Sequence, residues 1–190
     1  MSESLSRRDF VRQGTGALLL TFLVGGCEKK MTPTEAVKAE VPLGTLTARE
    51  ALKLGLLGEA CVPGAKAAGI VPYVDHQLTG SIGDCMLMIK YLGVPAPFSG
   101  FYRGGLAGIE AAAQKRRSKE FSALTATERQ AFVGDLAAGK LEGWQGPPQA
   151  FFHFVARTDA IDVTYGTEDG FASLGVPYMP HIAPPSNWGA

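Results

Sequence analysis

Leu46-Thr47-Ala48-Arg49-Glu50-Ala51-Leu52-Lys53-Leu54-Gly55-Leu56-Leu57-Gly58-Glu59-Ala60-Cys61 is the stretch that decides the fold. Thr47 and Glu50 have the spacing of a capping box, in which the threonine hydroxyl accepts from the Glu50 amide while the glutamate reaches back to Thr47. Leu52, Leu56 and Cys61, with Leu57 and Ala60, then recur at helical spacing. Pro63-Gly64 ends the run. A capped amphipathic helix at the head of a chain with little period-two alternation predicts an all-α fold.

Outward from this helix the same signals repeat. Pro72 suits the start of a second helix, with Val74 and Leu78 on one face. Gly80 to Tyr91 reads as a third, stopped by Gly93-Val94-Pro95. Ser99 to Ser118 reads as a fourth, in which Gly104, Gly105 and Gly108 each weaken the helix by ~1 kcal/mol against alanine and allow close helix contact. Thr125-Ala126-Thr127-Glu128 is a second capping box, opening a helix to about Leu141. After the break at Gly143-Trp144-Gln145-Gly146-Pro147-Pro148, a sixth helix runs from about Gln149 to Val163. The expected architecture is a compact bundle of five to six helices.

The ends of the chain differ from this middle. Ser6-Arg7-Arg8-Asp9-Phe10-Val11-Arg12 precedes the apolar run Gly14 to Gly26, the arrangement of a twin-arginine export signal keyed by Arg7, Arg8 and Phe10. As a helix the run would span only ~20 Å at ~1.5 Å per residue, short of a bilayer core ~30 Å thick. It therefore reads as a cleaved signal over residues 1–26. Val24-Gly25-Gly26-Cys27 matches a lipobox, which would make Cys27 the lipidated first residue of the mature chain; ordinary cleavage to a soluble chain is the competing reading. Residues 27–45, polar and interrupted by Pro33 and Pro42, have the composition of a flexible tether. The expected location is periplasmic, lipid-anchored to a membrane.

At the other end, Thr164 to Ala190 offers one short helix near Glu168 to Leu174, followed by Pro177, Pro180, Pro184 and Pro185. Tyr165, Phe171, Tyr178, Met179 and Trp188 make this an extended Pro-rich C-terminal arm, residues 165–190 of a single helical domain over 46–190. Large apolar groups on a stiffened strand suit a partner interface, because little ordering entropy is lost on docking. Packing of the arm on its own bundle is the alternative.

Composition excludes several classes. The chain of 190 residues has 18 basic and 18 acidic residues, and beyond residue 26 it carries 15 and 16. There is no basic surplus for nucleic acid. Cys61 and Cys85 either form a disulfide in an oxidising compartment, worth ~3.5 kcal/mol in the chain-entropy model, or are two buried thiols. Among the three histidines, His76, His153 and His181, none has a metal-ligand spacing, and His153 in its aromatic helix reads as a core residue. Asp75-His76 is a nominal acid/base pair, but adjacent helical residues do not face each other. Asp159 and Asp162 with Arg157 read as a solvated helix face. No nucleophile motif, dinucleotide fingerprint or phosphate loop occurs, so no cofactor is expected in this chain. A signal for folded export on such a chain points to a passenger subunit.

Pro63-Gly64-Ala65, Ala68-Gly69-Ile70 and Val74-Asp75-His76-Gln77-Leu78 resemble the "PGA", "AGV" and "(I/V)D.QL" segments of the gluconate 2-dehydrogenase subunit 3 family. The later residues are similar too: Phe152, Arg157, Asp159, Asp162-Val163, Tyr165-Gly166 and Leu174-Gly175-Val176-Pro177-Tyr178. The resemblance covers about Leu46 to Trp188. It implies the small subunit of a periplasmic flavin-dependent sugar or alcohol dehydrogenase. Its partner would be a large GMC-type flavoprotein carrying FAD, and a multihaem cytochrome c would accept electrons. The small subunit would hold no redox centre. It would assist folding and stability of the flavoprotein and carry it through the twin-arginine translocase. Where many members read "YGGN", this chain reads Tyr165-Gly166-Thr167-Glu168-Asp169-Gly170, which leaves the substrate open. A stand-alone envelope lipoprotein acting as a scaffold, or an enzyme using Asp75 or His153, are the other classes.

Overall fold

The computed structural model describes residues 18–176. In chain order these form a β-hairpin, β1 (Leu20–Val24) and β2 (Cys27–Met31), then eight helices: α1 (Pro33–Lys38), α2 (Ala48–Cys61), α3 (Ala65–Ala68), α4 (Ile70–Thr79), α5 (Ser99–Arg117), α6 (Ala126–Ala137), α7 (Gln149–Tyr165) and α8 (Glu168–Ser173). Two 3₁₀ turns, Met88–Leu92 and Phe121–Ala123, complete the set. The five longer helices make a mainly α bundle, as the sequence predicts.

α2 begins where the capping box places it. Thr47 accepts from the Glu50 amide and the Glu50 carboxylate accepts from the Thr47 amide. Its buried face is Ala51, Leu54, Gly55, Leu57 and Gly58, whereas Leu52 is exposed. The two glycines shift that face, because they let α4 approach: a Cβ at Gly58 would stand 3.1 Å from Ile70. α6 repeats the capping box at Thr125 and Glu128, but ends at Ala137, where Gly139 takes a left-handed φ of 70°.

α5 and α7 lock together at a notch. Gly105 faces the Phe152 ring, and a Cβ there would lie 2.0 Å from it. Gly108 receives Trp144, whose indole N–H donates to the Pro147 carbonyl at 2.7 Å. Phe101 adds edge contacts to Tyr102 and Phe151. Tyr102, Leu106, Ile109, Phe121, Leu136, Phe152 and Val155 are fully buried around this seam. The glycines that cost α5 helix propensity are thus the ones that admit large aromatic groups.

Three expectations are corrected. Residues 80–91 do not form a helix: they run as turns into the 3₁₀ turn at Met88–Leu92. Two of their backbone amides are taken by side chains instead, Met86 by Gln77 and Met88 by Asp159. The end of the apolar run, whose length is measured above as a helix, forms a strand. Gly25 and Gly26 both sit at positive φ, 60° and 80°, the turn that closes a two-residue hairpin. Residues 27–45 are not a loose tether. After β2, Thr32 and Glu35 form a capping box on α1, and Pro33 occupies its first turn. Ala36 is buried, the Thr34 hydroxyl donates to the Ala68 carbonyl, and Gly69 packs directly on Pro33.

Candidate functional site

The polar groups that the sequence offers for chemistry are spent on architecture. Asp75, buried on α4, accepts from the backbone amides of Gly44 at 2.6 Å, Thr45 at 3.0 Å and Leu46 at 2.6 Å. Two residues on, Gln77 accepts from the Met86 amide at 2.8 Å. The D-x-Q spacing therefore pins the chain on entering α2 and again on leaving α4. Each acceptor satisfies amides that would otherwise be orphaned near the core.

Asp159 is fully buried on α7, not part of a solvated face. One carboxylate oxygen accepts from the Met88 amide at 3.1 Å and the other from the Tyr102 hydroxyl at 2.5 Å. Burial pushes this carboxyl up to about 7; the two hydrogen bonds pull it down, and Asp162 adds to the rise. Burial and the neighbouring Asp159 raise the Tyr102 hydroxyl in turn. The half-buried Asp162 is also raised by burial. This cluster joins α5, α7 and the 3₁₀ turn at Met88.

The histidines do not assemble a site. His76 donates from Nε2 to the Thr21 carbonyl at 3.0 Å and makes a tilted ring contact with Phe22, 5.0 Å between centroids. His153 is half-buried rather than in the core; burial lowers its pKa, and Arg157 lowers it further. No hydrogen bond links Asp75 to His76, or His153 to an acid, among the described residues. Nor do the described residues contain a group of three or more His, Cys, Asp or Glu placed to hold a metal ion. No described helix is long and apolar enough to cross a membrane.

The cysteines are all free: Cys27 exposed, Cys61 partly buried and Cys85 buried. The bridge between Cys61 and Cys85 is not formed. Burial pushes the Cys61 thiol up to about 12, although Arg157 pulls it down, and Cys85 is raised by burial too. Both behave as small apolar residues. Cys27 pairs with Val24 at the closing end of the hairpin.

Of the interface residues expected on the C-terminal arm, Tyr165 ends α7 and packs against the core, and Phe171 is half-buried on α8. Tyr178, Met179 and Trp188 lie outside the described residues, as do Arg7, Arg8 and Phe10. The structure adds a surface that sequence reading missed. Ile82, Met86, Tyr91 and Leu92 are exposed on the turns after α4, Tyr91 to 67%. Lys90 holds that segment closed by donating to the Gly83 carbonyl at 2.6 Å. Reading 80–91 as a helix hides these groups; the turn signals Gly80, Gly83 and Asp84 are the available clue.

Fold and surface define the class: a small, mainly α-helical chain whose buried polar groups hold its own loops and which exposes several apolar groups on the turns after α4. A family model for gluconate 2-dehydrogenase subunit 3 matches residues 56–181, and the chain belongs to that family. The family name makes its members one subunit of a multi-subunit gluconate dehydrogenase. No match was found among curated proteins or among solved structures.

Proposed function

We propose that this chain is the non-catalytic small subunit of a membrane-associated, periplasmic, flavin-dependent sugar or alcohol dehydrogenase of the gluconate type. The observation that carries the reading is the family match over residues 56–181, which runs from within α2 to beyond α8. FAD belongs to the large GMC-type flavoprotein subunit, and a multihaem cytochrome c takes its electrons. The present chain supports folding and stability of the flavoprotein and takes it through the twin-arginine translocase on Arg7 and Arg8. Cys27 carries the lipid anchor. Its exposed place beside the Gly25-Gly26 turn supports this, because exposed turn tips are where processing enzymes reach a folded chain. Ile82, Met86, Tyr91 and Leu92 supply an apolar contact surface alongside the arm.

The test is affinity purification of the chain from the cell envelope, with and without Arg7→Lys and Arg8→Lys together. The wild-type chain should bring down a yellow flavoprotein. In the double variant the flavoprotein should stay in the cytoplasm. Full export of the flavoprotein by the double variant, or a chain that purifies alone, breaks the reading.

A further inference from the structure

β1 lies within the segment that the sequence marks as the apolar core of the export signal, yet it is folded onto the bundle. Leu20 and Phe22 point inward and are 5% and 6% exposed, while Thr21 and Leu23 point out. Phe22 packs against His76 with the two rings tilted by 60°, and the Thr21 carbonyl accepts from the same ring. The other ring nitrogen, Nδ1, is buried with no hydrogen-bond partner among the described residues.

The strand does not fill its berth. A cleft of about 410 Å³ stays open beside it, between Phe22 and Leu23 on one wall and Val41, Pro42, Leu43 and Pro72 on the other. The backbone of β2 supplies a ladder to β1 through five antiparallel pairs, from Leu20 opposite Met31 to Val24 opposite Cys27. Cutting between Gly26 and Cys27 would fall at the turn of this hairpin. It would detach β1, strip β2 of the one strand it pairs with in this two-stranded sheet, and empty the pockets of Leu20 and Phe22. A bare edge beside apolar sockets is a strand-receiving site: main-chain hydrogen bonds give affinity, and alternate side chains give specificity.

We propose that Leu20–Val24 is a placeholder strand. In the full-length chain it occupies a site that, once the leader is removed, takes an extended strand of the flavoprotein subunit. This rests on the subunit reading above. β1 itself sets the chemistry of the incoming strand: apolar residues at alternate positions, an aromatic ring at the centre to pack against His76, and bulk beyond that of Leu20–Val24 to enter the open cleft. The device keeps the β1-facing edge of β2 and the two apolar pockets covered until export and processing are complete.

A photocrosslinker at the cleft wall tests this, with Leu43→p-benzoyl-phenylalanine in the full-length chain. Leu43 is 37% exposed, so the substitution leaves the core intact. In the unprocessed chain irradiation should join position 43 to Thr21–Leu23, and Phe22→Ala should cut that yield roughly tenfold, the loss expected for one buried aromatic anchor. In the chain recovered from the cell envelope, the same probe should join the larger subunit instead. Absence of the leader crosslink in the unprocessed chain overturns the proposal. If the flavoprotein co-purifies but position 43 never joins it, or joins only a retained leader, this site is wrong and the subunit reading stands. If no flavoprotein co-purifies, both fall.

Discussion

The bundle over residues 46–165 and the layer over residues 18–43 are built from the same local devices, but they are attached differently. Each opens a helix with a Thr/Glu capping box, at Thr47 and at Thr32. In the bundle, side chains cross between elements far apart in sequence: Phe152 into the Gly105 notch, and Asp159 to both Tyr102 and Met88. The N-terminal layer rests on α3 and α4, through Pro33 on Gly69, Thr34 on Ala68 and Thr21 on His76. Asp75 stands at the join. By gripping Gly44, Thr45 and Leu46 it fixes where α2 begins, whatever the preceding residues do. The difference teaches that a cap sets where a helix starts, whereas cross-links between distant elements set whether its loss unfolds the molecule.

The largest effect should come from the deepest of those cross-links. Asp159→Ala leaves the Met88 amide and the Tyr102 hydroxyl without their acceptor, at a cost of about 3 kcal/mol in a denaturant titration. The same site sets a pH dependence. The Asp159 carboxyl binds its proton more tightly folded than unfolded. Its contribution is therefore complete below about 3.8 and is lost as pH rises towards about 7. His153 works in the opposite direction, since burial favours its neutral form. Asp159→Asn keeps an acceptor for Met88 and a donor for Tyr102. It should make the fall between pH 4 and 7 shallower, leaving the smaller fall from the raised Asp162 set against the His153 rise. A variant that keeps the wild-type slope would show that Asp159 does not titrate in that range.

Gly105→Ala comes next. Its methyl group would collide with the Phe152 ring, which is fully buried and has no free side to move towards. Overpacking of this kind costs ~1–3 kcal/mol. Gly134, on α6 with nothing within 4 Å of a Cβ, is the control: Gly134→Ala should be neutral or stabilising by helix propensity. Melting curves of the pair separate close approach from propensity.

This contrast marks what is legible in the sequence. The capped helices α2, α5, α6 and α7 are written locally, in Thr/Glu pairs and helical spacing, and the Gly-rich part of α5 does signal close contact. Residues 80–92 are not legible, because the amides of Met86 and Met88 are claimed by Gln77 and by Asp159, and the latter lies far along the chain. Asp159 reads as solvated because a charged residue on a helix is usually exposed; nothing local announces Tyr102 as its partner. The hairpin stays hidden because a short apolar run fits a strand or a helix equally well. Only the Gly25-Gly26 pair favours a turn, and the same pair fits a lipobox. The small helix α1 is easily passed over although Thr32-Pro33-Thr34-Glu35 spells its cap.

The two capping boxes themselves sharpen the comparison further. Thr47→Ala should lower the stability of the whole bundle by ~1 kcal/mol, the usual worth of a lost cap. Thr32→Ala likewise removes the two hydrogen bonds of the hydroxyl, from the Glu35 amide and to the Glu35 carboxylate, but should leave the global melting transition nearly in place. Its effect should appear as faster hydrogen exchange confined to residues 20–38. Equal losses in global stability from both variants would mean that the N-terminal layer is cooperative with the bundle.

The smallest effect on stability is expected at the other end. Truncation after Leu174 removes the last part of the arm. Among the described residues it takes away only two hydrogen bonds: the Gly175 amide donates to Ala172 and the Val176 amide to Phe171, both acceptors within α8. Leu174 and Val176 are exposed. Tyr165 and Phe171, the arm residues that are packed, stay in the shortened chain. The melting temperature should therefore hold to within the ~0.5 kcal/mol typical of surface changes. Binding is another matter. Tyr178, Met179 and Trp188 are the kinds of side chain that dominate interfaces, and Trp188→Ala alone should cost ~2 kcal/mol of affinity for the flavoprotein if the arm is the main contact. Calorimetric titration beside a melting curve reads both quantities from one preparation. A truncated chain that unfolds makes the arm part of the fold. One that melts normally and binds at full strength moves the interface to the turns carrying Ile82, Met86, Tyr91 and Leu92.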